Sequence, residues 1–301
     1  MAFIDANKDR STDGLRWGVE PICEVLQFAP STYYEARSRP PSRRHVSDTK
    51  LKREVRRVYD QNLQVYGADK LWRQLHREGF SCGRDRVARL MRALGIAGVT
   101  RRRRPPRTTV SEPAAERPKD LVQRHFSAEA PNRLWVADIT YVDTVVGFVY
   151  TAFIVDCFSR RIVGWKVAKS LHASLALDAL EMALGLRRNE IKAGLVHHSD
   201  RGVQYGAVRY TERLEAAEAV ISVGSRGDSY DNALAETVNG LYKAELIYRR
   251  ITWAGLADVE LATAMWVSWW NDRRLHSALG FVPPAEFEAA IRVDTGDAVA
   301  A

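Results

Sequence analysis

The sequence predicts an α/β protein: a mixed five-stranded sheet with flanking helices, preceded by an all-α helix-turn-helix region. Three observations carry this expectation. Helical i, i+3, i+4, i+7 spacing of apolar residues dominates the front of the chain. Aromatic and β-branched runs with strand character dominate from about residue 131 onward. A stretch with four consecutive arginines and four prolines, GVTRRRRPPRTTVSEPAAERPKD, separates the two textures.

Length and composition are those of an ordinary globular chain. There are 301 residues, 46% hydrophobic and 27% charged, enough to bury a sizeable core. No run reaches the eighteen or so apolar residues a spanning helix needs, and MAFIDANKDR has no signal-peptide pattern. The expected location is therefore the cytoplasm. Cys23, Cys82 and Cys157 form no CxxC pair, which excludes a disulfide framework and gives no zinc-ligand spacing. The net charge of +8 is unevenly spread: Arg37 to Arg107 holds 21 Lys and Arg against 6 Asp and Glu, whereas the rest of the chain is net acidic. A basic front half joined to an acidic back half points to a polyanion held by the front.

Taken in order, WGVEPICEVLQFAPSTYYEA reads as two short helices around Phe28-Ala29-Pro30, with Ser31 or Thr32 as the second cap. The prolines of SRPPSRRH interrupt the helix that follows. A basic helix is expected over 47–62 and another over 67–77. The tight turn GFSCG then leads to RDRVARLMRALG, where Val87, Leu90, Met91 and Leu94 share one face and Gly95 ends the helix. Arg86, Arg89 and Arg92 lie away from that apolar face, as the second helix of a helix-turn-helix requires for DNA contact. Arg101, Arg102, Arg103 and Arg104 open a linker that can lie along phosphates.

NRLWVADITYVDT, GFVYTAFIVDCF and RRIVGWKVA then read as an antiparallel meander. A helix follows at about 172–188, then the strand GLVHHS, a helix near 205–217, the strand AVISVG and a helix from about 230 to 248. This is the element order of an RNase H-like sheet. A closing helix over 254–271 carries Trp266, Trp269 and Trp270, which read as core.

Three acidic residues occupy special places in this order. Asp138 lies inside the first strand between Ala137 and Ile139, where an unpaired carboxylate would be costly. Asp200 ends the fourth strand, which neighbours the first in such a sheet. Glu236 sits in the first turns of the helix over about 230–248, which follows GSRGDSYDN. Carboxylates without histidine or cysteine make a hard-ligand site, suited to Mg²⁺ or Mn²⁺. Two such ions about 4 Å apart activate a nucleophile and stabilise a leaving oxygen at a phosphodiester. Asp143 reads as surface, Asp156 as a turn support, and His197 and His198 as packing groups, with a phosphate-facing role open to His198. Arg273, Arg274 and His276 divide between DNA contact and structural pairing.

With 35 residues between Asp200 and Glu236, the three acids resemble the DDE triad of retroviral integrases and insertion-sequence transposases. WVADITYV, FSRRIVGW, HHSDRGVQY, DNALAETVNGLYKAEL and WNDRRLHSALGFVPPAEF are similar to the OrfB-type insertion-sequence transposases, and the resemblance covers about 17–290. It implies metal-bound catalytic roles for Asp138, Asp200 and Glu236, with two Mg²⁺ or Mn²⁺ ions as cofactors. It also implies a DNA-facing role for Lys243, seven residues after Glu236. Asn232 shares that helix face and is expected either to orient the carboxylate or to touch DNA. Glu245 falls on the other side of the helix and is not the acid.

The domains expected are an N-terminal helical element (1–40), a helix-turn-helix region (41–104), a basic, proline-rich linker (105–130), the RNase H-like core (131–250) and a C-terminal helix and tail (251–301). The implied activity is Mg-dependent 3′-end cleavage and strand transfer on DNA in a bacterial cell. The implied partners are terminal-repeat and target DNA, further copies of the chain on that DNA, and an upstream-frame protein, fused or associated. Two other readings stay open here: an RNase H-like nuclease that never joins strands, and a catalytically inactive DNA-binding regulator.

Overall fold

The computed structural model describes residues 1–100, 122, 126–191, 194–200, 202, 204–223 and 232–294. The chain divides into two compact units, Met1–Glu54 and Val55–Ala301.

The first unit contains α1 (Ala2–Asn7), a minimal hairpin of β1 (Ser11–Thr12) and β2 (Leu15–Arg16), α2 (Val19–Val25) and α3 (Pro30–Ser38). Ile4, Ile22, Cys23 and Tyr33 form its small core. Ser31 and Thr32 do not cap α3, because the helix opens one residue earlier. Pro30 takes the first helical position, where a missing N–H costs nothing, and Ala29 is the N-cap. α4 (Arg43–Gln61) starts four residues earlier than its apolar stripe suggests, directly after the Pro40-Pro41 break.

In the second unit, α5 (Ala68–Arg77) and α6 (Arg84–Ala93) form the expected pair of short helices, and Leu71, Leu75, Val87, Leu90 and Met91 are buried. Gly95 takes a left-handed φ of 65° just past α6, the conformation a helix C-terminus favours glycine for.

The sheet follows as β3 (Leu134–Thr144), β4 (Gly147–Asp156), β5 (Ile162–Ala168), β6 (Val196–Ser199) and β7 (Val220–Val223), in the order β5-β4-β3-β6-β7. β3, β4 and β5 pair antiparallel, while β6 runs parallel to both β3 and β7. Alternation along the strands splits the sheet into two buried faces. One packs on α7 (Ala173–Leu186) and α8 (Val208–Ala216), through Ala137, Ile154, Leu180 and Leu214. The other packs on α9 (Ala233–Glu245) and α10 (Leu256–Asp272): Phe153 lies 5.0 Å from Tyr242 and 5.8 Å from Trp266, centroid to centroid. α11 (Pro284–Asp294) closes the described chain.

The tryptophans of α10 are core, and each indole N–H is satisfied inside it. Trp266 donates to Glu245, Trp269 to Asn62 and Trp270 to the Arg160 carbonyl. No helix among the described residues is long and apolar enough to cross a membrane.

Candidate active site

β6 is only four residues long, and its pairing fixes the site. Ser199 lies opposite Ala137, so Asp200, one residue past the strand, comes level with Asp138. Beyond that point β3 continues to Thr144 with no strand partner on this side among the described residues. The open edge is where two strand-borne carboxylates can be reached from solvent.

Asp138 stands opposite Phe153 on β4 and shares its face, the one covered by α9. One carboxylate oxygen accepts the Ile139 amide at 2.8 Å, and the other accepts Nδ2 of Asn239 at 2.8 Å. Burial, and then the neighbouring Asp200 carboxylate, push the Asp138 carboxyl up to about 7, against those two hydrogen bonds; Glu236 pushes the same way. Asp200 is exposed, its Oδ1 accepts the Gly202 amide at 2.9 Å, and its carboxyl is also raised, chiefly by desolvation. Glu236 lies in the first turn of α9 and is exposed.

α9 is held to the sheet at this point. Asn232, its N-cap residue, is buried and donates from Nδ2 to the Ala137 carbonyl at 2.8 Å, spending its amide on β3 instead of presenting it to solvent. Of the two expected roles, orienting the carboxylate or touching DNA, this bond fits the first, by holding the start of the helix that carries Glu236. Asn239, one turn beyond Glu236, is the residue sequence reasoning missed. Its signal was available: 232, 236, 239 and 243 fall on one helical face. Lys243 is half-buried, with Nζ 4.4 Å from the centre of the exposed Tyr141 ring.

The remaining candidates separate cleanly. Asp143 is exposed at the far end of β3. Asp156 is buried and accepts amides from Asn132, Phe158 and Ser159, so it builds a turn. His197 and His198 are buried against Tyr210 and Ser222, each at 2.9 Å. Burial holds His197 down at about 3, so it carries no charge for a phosphate. Arg274 and His276 are buried while Arg273 is exposed; Arg274 pairs with Glu245, which removes that glutamate from the carboxylate set. Arg86 and Arg89 are partly exposed and Arg92 fully so on α6, while Arg101 to Arg104 lie outside the described residues.

The donor set tests well against a hard divalent cation. The Asp200 charge raises the Asp138 carboxyl, desolvation raises both, and the proposed ligands include no histidine or cysteine, so added positive charge relieves the repulsion. Among the described residues, no three His, Cys, Asp or Glu side chains are close enough to enclose an ion as they stand.

Family profiles described as Integrase core domain match residues 128–229 and 218–284, and one described as HTH-like domain matches 46–104. The chain is 53% identical over 268 residues to a putative transposase for insertion sequence element IS986/IS6110 of Mycobacterium tuberculosis, covering 88% of this chain and 96% of the relative. It is 52% identical over 287 residues to the transposase for insertion sequence element IS629 of Shigella sonnei, covering 94% and 95%. Among solved structures, a chain of the simian T-cell lymphotropic virus intasome matches at a TM-score of 0.46 and 16% identity, over 74% of this chain and 70% of that one.

Proposed function

The chain belongs to the insertion-sequence transposases, and from that premise we propose that Asp138, Asp200 and Glu236 are the carboxylates with which its integrase core cleaves DNA and transfers strands. The observation that supports the assignment is the register of β6, which sets Asp200 level with Asp138 beneath the helix carrying Glu236. The three acids would hold magnesium or manganese, which when bound supplies Lewis-acid stabilisation of the attacking and leaving oxygens.

The chain's own groups do the rest. Asn239 holds one oxygen of Asp138, leaving the carboxylate a fixed direction. Asn232 pins the start of α9 to β3, so Glu236 approaches from a constant height. Lys243, two turns on, offers a cation to a phosphate entering along the open edge of β3. In the first step a water oxygen bonds to phosphorus and the P–O3′ bond breaks, freeing a 3′-hydroxyl. In the second that hydroxyl oxygen attacks a phosphodiester of the target in line and displaces the target's own 3′-oxygen. No covalent protein intermediate is needed, so the site requires no Ser or Tyr nucleophile.

The helix-turn-helix binds DNA, with Arg86, Arg89 and Arg92 of α6 and Arg101 to Arg104 assigned to phosphate and groove contacts. An element has two ends to cut and join, so we assign the active form to more than one copy of the chain on DNA, acting with an upstream-frame protein where one is supplied.

The test is a gel assay of the purified chain with Mg²⁺ and DNA bearing its element's ends, beside Glu236→Gln. Nicked and joined products from the wild type alone support the assignment. Equal products from both chains remove Glu236 from the site.

A further inference from the structure

Among the described residues, the buried side-chain polar atoms with no hydrogen-bond partner are Nε of Arg161 and Arg187, Oδ1 of Asn232 and Asn239, and the Tyr205 hydroxyl. The two guanidinium groups are already anchored on Glu288 by their other nitrogens. The remaining three lie around the two strand-borne carboxylates, the asparagines on the α9 side and Tyr205 among the residues packed on α7 and α8. Asn232 and Asn239 bond to the Ala137 carbonyl and the Asp138 carboxylate, and Tyr205 follows Asp200 in the same turn. Unsatisfied buried polar groups are rare in folded proteins, so a cluster of them asks for a common reason.

Tyr205 is 6% exposed and packs edge-on against Tyr210, with ring centres 5.5 Å apart. Its amide donates to the Gly202 carbonyl at 3.1 Å, which folds the turn back on itself. The point where a Cβ on Gly202 would stand is 2.9 Å from Oδ1 of Asp200 and 3.4 Å from the Tyr205 ring edge. The nearest atom to that point is Oε1 of Gln204, at 2.7 Å, so the Asp200 carboxylate, the Gln204 amide and the Tyr205 ring all converge beside Gly202. A phenol ionises only at about pH 10, so at neutral pH the oxygen keeps its proton and remains a donor. Among the described residues, both carboxylate oxygens of Asp138 have donors, and Asp200 has one, at Oδ1.

We propose that Tyr205 is a positioning residue of the active site, its hydroxyl donating a hydrogen bond to Asp200, directly or through one water, and so fixing that carboxylate for a divalent ion. The proposal rests on the assignment of Asp200 made above. Outer partners of this kind set the direction and basicity of a metal-binding carboxylate, and their loss weakens metal affinity by about 10–100-fold. Tyr205→Phe keeps the ring against Tyr210 and removes only the donor.

The experiment measures Mn²⁺ affinity of the full chain by the electron paramagnetic resonance of free Mn²⁺, together with melting temperature and nicking of element-end DNA, for wild type, Tyr205→Phe and Asp200→Asn. The expected result is a Tyr205→Phe chain that melts no lower than wild type, binds Mn²⁺ about 10–100-fold more weakly and nicks more slowly at subsaturating metal. Wild-type Mn²⁺ affinity in Tyr205→Phe overturns the proposal. So does a clearly lowered melting temperature, which would give the hydroxyl a partner in the fold. Weakened binding in Tyr205→Phe with none in Asp200→Asn overturns it too, because the effect would not pass through Asp200. If Asp200→Asn alone abolishes binding, the carboxylate assignment stands and Tyr205 falls; if neither variant changes binding, both fall.

Discussion

Asn239 orients Asp138 with a single amide, and this is where the chemistry is most sensitive to a neutral residue. Its Nδ2 holds Oδ2 of Asp138 at 2.8 Å, and it opposes the burial and repulsion that drive that carboxyl toward its protonated form. Asn239→Ala should lower nicking by about 10–100-fold at limiting Mg²⁺, recovering in part as Mg²⁺ is raised, since the loss is one of ligand direction and charge. Single-turnover nicking across a Mg²⁺ titration checks this; a loss independent of Mg²⁺ would give Asn239 a different task. Asp138 was legible in the sequence because a carboxylate inside an apolar strand is expensive and must have a reason. The common helical face of Glu236 and Lys243 on α9 was legible from spacing, while the roles proposed for them come from the resemblance. Asn239 shares their helical face, but an amide on a helix and, at Tyr205, an aromatic after a turn occur everywhere, so spacing alone did not single either out until their neighbours were known.

Elements were legible to the extent that their periodicity was strong. The meander of β3, β4 and β5, the parallel β6 and β7 and the helices between them follow the hydrophobic runs, because alternation fixes which face of a strand is buried. Ends were less legible: α3 begins at Pro30, ahead of both candidate caps, and α4 begins at Arg43, where basic residues carry no apolar signal. Close approach between elements was not legible at all. α7 crosses β5 at Gly164, where an added Cβ would lie 2.1 Å from the Ala179 carbonyl oxygen and 2.9 Å from the Ala183 methyl. A backbone oxygen cannot swing aside as a side chain does, so helix and strand would have to part. Gly164→Ala should therefore cost about 1–3 kcal/mol, as overpacked cores do, a drop of several degrees in melting temperature. A scanning-calorimetry melt equal to wild type would mean that α7 slides freely on the sheet.

At the scale of the whole molecule, the division of charge decides how the chain meets DNA. The segment from Arg37 to Arg107 carries 21 basic residues against 6 acidic, while the remainder is net acidic. A segment of that charge attracts a polyanion such as DNA. Held by phosphates, DNA displaces counterions as it binds, so affinity must fall with salt in proportion to the contacts made. With about 6–10 phosphates engaged, binding should weaken by about 10³–10⁵ between 50 and 200 mM salt. The triple change of Arg86, Arg89 and Arg92 to Ala tests whether α6 supplies part of that attraction. If each meets a phosphate, the slope of log K against log salt should shrink by about 3, and the loss should be alike for element ends and unrelated DNA. If instead the slope holds while preference for element ends disappears, these arginines read base edges, and the phosphate grip lies with the other basic residues of the segment. Fluorescence anisotropy over a salt series, with both DNAs, separates the two outcomes, because phosphate contacts carry no sequence information and base contacts carry little salt dependence.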